Sequence, residues 1–223
     1  MTINEKNIDE QLDNMIQSIQ SSIKISSACT GVNAVSPEII KAIRVLPRHY
    51  FLKSENINIS YCNEPIFIGY GQTTSQPSII VIMIELLHVR KDDKVLEIGT
   101  GSGFQTAILS MICKEVYTIE IIPQLLEDAL EKLQKLGIKN IHGRIGNGAY
   151  GWKENSPFDK IIVSAACNEI PKPLIEQLKP NGIIVLPLDT GEGFQELVVI
   201  KKDKNGMIHK KKILPVRFVP LLE

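Results

Sequence analysis

Between residues 1 and about 30, Ile8, Leu12, Met15, Ile16, Ile19 and Ile23 recur at helical spacing among Ser, Gln and Asn. This pattern predicts an amphipathic helix packed on the body of the protein, with a loop, "SSACTGVNAV", after it. Ser36 then reads as a cap, Pro37 as a first-turn residue and "EIIKAIRVL" as a second helix that Pro47 stops. The region to Gly71 is irregular, and "SIIVIMIELLHV" reads as a third helix.

From Lys94 onward, apolar strand-like runs alternate with amphipathic helical segments. "KVLEIG", "EVYTIE", "NIHGRIG" and "DKIIVSAA" read as strands, with "SGFQTAILSMIC", "PQLLEDALEKLQKLG" and "PKPLIEQLKP" as helices. "GIIVLPL", "QELVVIKKD" and "KKKILPVRFVPLL" follow as strands. Parallel neighbours need a crossover helix, so the alternation predicts an α/β fold with a doubly wound, mostly parallel sheet. Only "DKNG" separates the last two strands, which predicts a C-terminal antiparallel hairpin. The expected organisation is one domain over 1–223: an N-terminal helical segment and loop, 1–78, packed on an α/β core, 79–223.

Composition narrows the partners. The 223 residues carry 25 basic and 25 acidic side chains, so no net field favours nucleic acid or an anionic membrane. No apolar run reaches bilayer length and "MTINEKNIDEQLDN" lacks a signal-peptide core, which predicts a cytoplasmic protein. Cys29, Cys62, Cys113 and Cys167 lie far apart without metal-ligand spacing, and the four histidines are equally scattered. No metal is expected. Cys167 follows a strand and is the one candidate nucleophile, against the plainer reading of a small buried thiol.

Two segments carry candidate chemistry. In "VLEIGTGSGFQTAIL", Gly99, Gly101 and Gly103 turn a buried strand into a helix, at the strand end where open α/β sheets place nucleotide-like ligands. A dinucleotide fingerprint would need glycine where Phe104 stands, which disfavours an NAD-dependent dehydrogenase. Glu120 ends the next strand, where a carboxylate accepts ribose hydroxyls or simply faces water. Asn147 and Gly148 in "GNGAYGW" suit either a turn or the reading of a base edge. The second segment, "IGYGQTTSQP" (68–77), sets three hydroxyls beside two glycines directly before the third helix. Ser75 or Thr74 would suffice as a helix cap, and the surplus points to a ligand.

Taken in order, "YCNEPIFIGYGQTTSQP", "VLEIGTGSGFQTAIL", "VYTIEIIPQL", "FDKIIVSAA", "IEQLKPNGIIVLPL" and "LPVRFVPLL" resemble the protein-L-isoaspartate (D-aspartate) O-methyltransferase family over residues 36 to 223. The resemblance implies a Rossmann-like enzyme of protein repair that uses S-adenosyl-L-methionine to methylate the α-carboxylate of isoaspartyl residues in peptides and proteins. It implies that Gly99, Gly101 and Gly103 border the cofactor, that Glu120 holds its ribose, that Asn147 and Gly148 face adenine and that Gln195 lies near. It also implies that Gln72, Thr73 and Thr74 close over the cofactor, with Ser75 as the active-site hydroxyl. A carboxylate with an ordinary pKa of about 3.5 arrives ionised at neutral pH and needs no general base, consistent with the missing His-Asp dyad. The family usually has aspartate where Asn63 and Asn147 stand. Rival readings are a methyltransferase for aspartate in one dedicated peptide partner and a non-catalytic cofactor-binding regulatory module.

Overall fold

A computed structural model describes residues 5–191 and 193–222. The chain opens with α1 (Glu5–Thr30) and α2 (Pro37–Val45), then two 3-10 turns, Arg48–Phe51 and Ser54–Ile59. The short strands β1 (Phe67–Gly69) and β2 (Gln72–Thr73) pair as a hairpin ahead of α3 (Pro77–Leu87). The remainder is β3 (Lys94–Ile98), α4 (Phe104–Ile112), β4 (Glu115–Glu120), α5 (Pro123–Lys135), β5 (Ile141–Ile145), β6 (Phe158–Val163), α6 (Lys172–Glu176), β7 (Leu178–Asp189), β8 (Gln195–Lys202) and β9 (Ile208–Val216).

β3 to β9 form one sheet in the order β5-β4-β3-β6-β7-β8-β9. Pairing is parallel from β5 across to β7, and antiparallel for β7 with β8 and β8 with β9. The chain winds from β3 outward through β4 to β5, then returns to place β6 on the other side of β3. The order therefore reverses between β3 and β6, and ligands of open α/β sheets bind at the carboxyl ends of strands at such a point. Alternation along each strand divides the core between the two faces. Val95, Val116, Ile162 and Val185 pack with Ile19, Ile43 and Leu87 of the helices on one face. Leu96, Ile119, Ile161 and Leu186 pack with Leu174 of α6 on the other. The expected helical stripe of α1 is buried at Leu12, Met15, Ile16, Ile19 and Ile23, while Ile8 is half-buried. Among the described residues no helix is long and apolar enough to cross a membrane.

Three boundaries differ from expectation. Ser26, Ser27 and Thr30, expected in a loop, continue α1, with their hydroxyls satisfied inside the helix by donating to carbonyls three or four residues back. Gly31 then leaves the helix at φ +74°. The expected helix over 171–180 is cut to Lys172–Glu176, since Leu178 pairs with Phe158 and is buried at the start of β7. The last strand stops at Val216 instead of running to Leu222. Beyond it the tail crosses to Ala166, whose N–H donates to the Val219 carbonyl at 2.8 Å and whose carbonyl accepts from Leu221 N at 2.8 Å. Ser36 occupies the N-cap of α2, but its hydroxyl donates to Glu85 of α3 rather than to its own helix.

Candidate active site

The carboxyl ends of β3, β4 and β6 and the turn after β5 converge on one cavity, roofed by the β1–β2 hairpin and the C-terminal tail. The glycine turn after β3 supplies its floor. Gly99 and Gly101 have φ of +89° and +54°, and a Cβ would lie 3.5 Å from Ser164 Cβ at the first and 3.5 Å from Ile68 Cδ1 at the second, ordinary contacts, so the left-handed backbone rather than crowding favours glycine at both. Gly103 does different work and does not line the cavity, contrary to expectation. It stands at the N-cap of α4 with φ +87°, and a Cβ there would lie 3.0 Å from Ala129 Cβ of α5. The third glycine thus lets two helices approach.

Glu120 is buried at the end of β4 and, among the described residues, is the only charged one lining the cavity. Its Oε2 accepts from Gly101 N at 2.9 Å, and Oε1 accepts from Ile121 N and Ile122 N at 2.9 and 3.1 Å. A carboxylate has about four lone-pair sites, so Oε2 retains one for a ligand hydroxyl. Among the described residues that line it there is no lysine or arginine, which fits a nucleoside without phosphates. Gly148 closes the far wall, and a Cβ there would fall 2.1 Å from Ile98 Cγ2, so no side chain is admitted. Asn147 stands behind this wall, outside the lining. Its Oδ1 caps the 3-10 turn Gly148–Tyr150 by accepting from Ala149 N at 2.8 Å.

Gln195 is not brought to the cavity. Its amide is consumed by one residue of the tail: Nε2 donates to the Phe218 carbonyl at 3.1 Å and Oε1 accepts from Phe218 N at 2.6 Å. The next residues, Val219 to Leu222, line the cavity. Gln195 thereby shapes the site through the tail it holds.

Gln72, Thr73, Thr74 and Ser75 all line the cavity, but the two candidate caps do not cap. Gln76 is the N-cap residue of α3, and the helix is capped from elsewhere, by Asn63 Oδ1 accepting from Ser78 N at 2.9 Å. The Thr74 hydroxyl is buried, accepting from Ile66 N at 3.1 Å and from Arg48 Nη2 at 3.4 Å. The Ser75 hydroxyl makes no hydrogen bond among the described residues. It is half-buried and lines both the cavity and an adjoining cleft bounded by Glu64, Gln76, Arg217 and Phe218.

Sequence reasoning missed Ser164, which directly follows β6 and also borders both spaces. Its Oγ accepts from Gln105 Nε2 at 2.8 Å, leaving its own proton to donate. The rule that singled out Gly99 and Glu120, a polar or small residue at a parallel strand's carboxyl end, would have found it. Gln105 also donates to Glu97 at 2.9 Å, while its Oε1 is buried without a partner. Glu97, wholly buried in β3, accepts from Thr106 and Thr118 as well, at 2.5 and 2.7 Å. Burial pushes its carboxyl up to about 7, against the downward pull of these donors.

Cys167 and Cys113 are inert buried thiols, each pushed by burial to about 12. Among the described residues no cluster of His, Cys, Asp and Glu could hold a metal.

A Rossmann-like sheet with a glycine turn after β3, a carboxylate ending β4 and a cavity at its switch point defines the S-adenosylmethionine-dependent methyltransferase fold. Residues 24–223 match the protein-L-isoaspartate(D-aspartate) O-methyltransferase family, and the chain belongs to it. Its function is that of the family, the S-adenosylmethionine-dependent methylation of isoaspartyl residues in protein repair. It is 44% identical over 207 residues to protein-L-isoaspartate O-methyltransferase 2 of Syntrophobacter fumaroxidans, covering 93% of this chain and 84% of that one. It is 50% identical over 186 residues to the protein-L-isoaspartate O-methyltransferase of Dictyoglomus turgidum, covering 83% and 84%. A solved protein-L-isoaspartate O-methyltransferase superposes with a TM-score of 0.81 at 27% identity, over 94% of this chain and 65% of that chain. A Plasmodium falciparum structure in complex with S-adenosyl-L-homocysteine shares the fold, with a TM-score of 0.76 at 24% identity over 93% and 98%.

Proposed function

We propose that the cavity holds S-adenosyl-L-methionine, that the adjoining cleft takes the isoaspartyl peptide, and that Ser75 fixes the substrate's free α-carboxylate where the two spaces meet. The observation that carries this reading is the Ser75 hydroxyl, without a partner among the described residues and bordering both spaces. When bound, the cofactor supplies an electrophilic methyl group on a sulfonium. The chain's own residues do the rest by holding and orienting. Gly99 and Gly101 leave room for the ligand against the backbone, and the spare lone pair of Glu120 Oε2 accepts a ribose hydroxyl. Gly148 leaves the base a wall with no side chain. Ser75 and Ser164 donate toward the carboxylate, which is ionised at neutral pH and needs no base. Val219 to Leu222 cover the cavity and limit water. Catalysis here is orientation of a charged nucleophile in a closed site.

Asn63 gives no support to the rival reading of a dedicated aspartyl partner. Its amide group is occupied in joining α1 to α3, with Nδ2 donating to Ser18 and Ser22 at 3.1 and 3.3 Å. The deciding experiment is methyl transfer to a pair of peptides that differ only in an isoaspartyl or aspartyl linkage. Methylation of the isoaspartyl peptide alone is expected, and equal methylation of both overturns the reading.

A further inference from the structure

Arg48 opens the 3-10 turn Arg48–Phe51 and is 1% exposed. Its Nη1 donates to the Ser60 carbonyl, and Nη2 to Thr74 Oγ1 at 3.4 Å and the Glu64 carbonyl at 3.5 Å. The guanidinium carbon lies 5.7 Å from the centroid of the Phe104 ring. All of these neighbours are neutral groups. Among the described residues no carboxylate forms an ion pair with Arg48. Burial brings its pKa down only to about 10, so the side chain is still charged at neutral pH.

Removing a cation from water without a counter-ion is costly. Bonds to two carbonyls and a hydroxyl do not require a charge, since a neutral amide also donates to them. The charge itself therefore calls for a role. Its position supplies one: Phe104 and Thr74 are walls of the cavity, Thr74 and Glu64 are walls of the cleft, and Thr74 directly precedes Ser75. The guanidinium thus sits one residue behind the junction of the two spaces, shielded from the salt that screens the exposed Arg217 across the cleft.

Resting on the function proposed above, we infer that Arg48 is a positioning residue whose buried charge draws the substrate's anionic carboxylate to the junction at Ser75, acting through Thr74. Methylation turns that carboxylate into a neutral ester, so a fixed cation favours the bound substrate more than the discharging transition state. Removal of the charge therefore raises KM and does not lower kcat.

The test measures, by calorimetry, the binding of an isoaspartyl peptide and of its isoasparaginyl counterpart, in which a carboxamide replaces the carboxylate. Wild type is expected to prefer the anionic peptide by about tenfold, a difference of about 1.4 kcal/mol. Arg48→Gln should lose that preference to within about twofold and raise KM about tenfold at unchanged kcat, while Arg48→Lys retains most of it. Equal binding of the two peptides by wild type overturns the inference whether or not the variants fold. A persistent preference in Arg48→Gln also overturns it, as does a parallel fall in kcat and in affinity for both peptides, the mark of a purely structural clamp. If wild type does not methylate the isoaspartyl peptide at all, the proposed function fails and the inference with it.

Discussion

Asn63 Oδ1 accepts the backbone N–H of Ser78 at 2.9 Å, so the first turn of α3 is capped by a residue fifteen positions upstream. The same side chain donates to Ser18 and Ser22 of α1, and the Asn63 backbone carbonyl accepts from Gln76 Nε2 at 2.8 Å. One amide therefore ties the N-terminal helix to the helix that follows the active-site ribbon. Asn63→Ala should lower stability by about 1–2 kcal/mol, the usual scale of a lost cap. Asn63→Asp should stay within about 0.5 kcal/mol of wild type, because a carboxylate still caps, suits the positive end of a helix and can accept from the Ser18 hydroxyl, the Ser22 proton being held by the Ser18 carbonyl. Urea unfolding of the two variants measures both values, and an Asp variant as weak as the Ala variant would rule out the cap.

Gly148 faces Ile98 across the base end of the cavity. A Cβ at 2.1 Å from Ile98 Cγ2 cannot be absorbed by small shifts. Gly148→Ala should destabilise the fold by about 1–3 kcal/mol, the range for overpacking, and weaken cofactor binding. Adding Ile98→Ala removes the obstructing carbons. If the clash is the cause, the double variant should be less destabilised than the sum of the singles, and strict additivity would refute it.

How far the sequence reveals these relations depends on whether they are periodic. Strand and helix alternation predicts the parallel sheet and the burial of α1, because each arises from apolar spacing. The glycine turn and Glu120 are legible for a similar reason: strand ends fix where their chemistry must lie. What escapes is long-range hydrogen bonding. Nothing local distinguishes Asn63, which caps a distant helix, from Ser75 and Thr74, which sit beside that helix and do not cap it. The family resemblance places Gln195 near the cofactor, yet its amide matches the backbone of Phe218. Gly103 belongs to the motif, but the packing of α4 on α5 is what requires it.

Glu97 makes stability depend on pH. Its carboxyl rises from an ordinary 4.5 to about 7 in the folded protein, chiefly through burial, with a smaller upward push from the charge of Glu120. The folded state then binds the proton more tightly than the unfolded state. The associated stability is complete below the unfolded pKa and is lost as pH climbs through the folded one. Between about pH 4.5 and 7 the loss should be of order 3 kcal/mol. Glu97→Gln should flatten this slope in urea titrations across that window, and a variant with the wild-type slope would assign the effect to other groups.

Ser75 separates the two readings of the ribbon. Had its hydroxyl capped α3, Ser75→Ala would cost about 1 kcal/mol of stability and leave turnover intact. Asn63 already provides that cap, so the substitution should change stability by less than about 0.5 kcal/mol, as at an ordinary partly exposed site. A hydrogen bond to a charged acceptor is worth about 1.5–3 kcal/mol, so kcat/KM for an isoaspartyl peptide should fall about ten- to hundredfold, with cofactor affinity nearly unchanged. Thr74→Ala should act chiefly on stability, with its kinetic loss confined to KM because Arg48 acts through it. Its buried hydroxyl joins Ile66 N and Arg48 to the hairpin, and its loss should cost about 1–3 kcal/mol of stability by leaving a buried donor unpaired. Melting temperature, cofactor affinity and peptide methylation measured on both variants distinguish the two hydroxyls. Normal turnover in Ser75→Ala would show that its hydroxyl is not the one holding the carboxylate and would shift that role to Ser164, the other hydroxyl bordering both spaces.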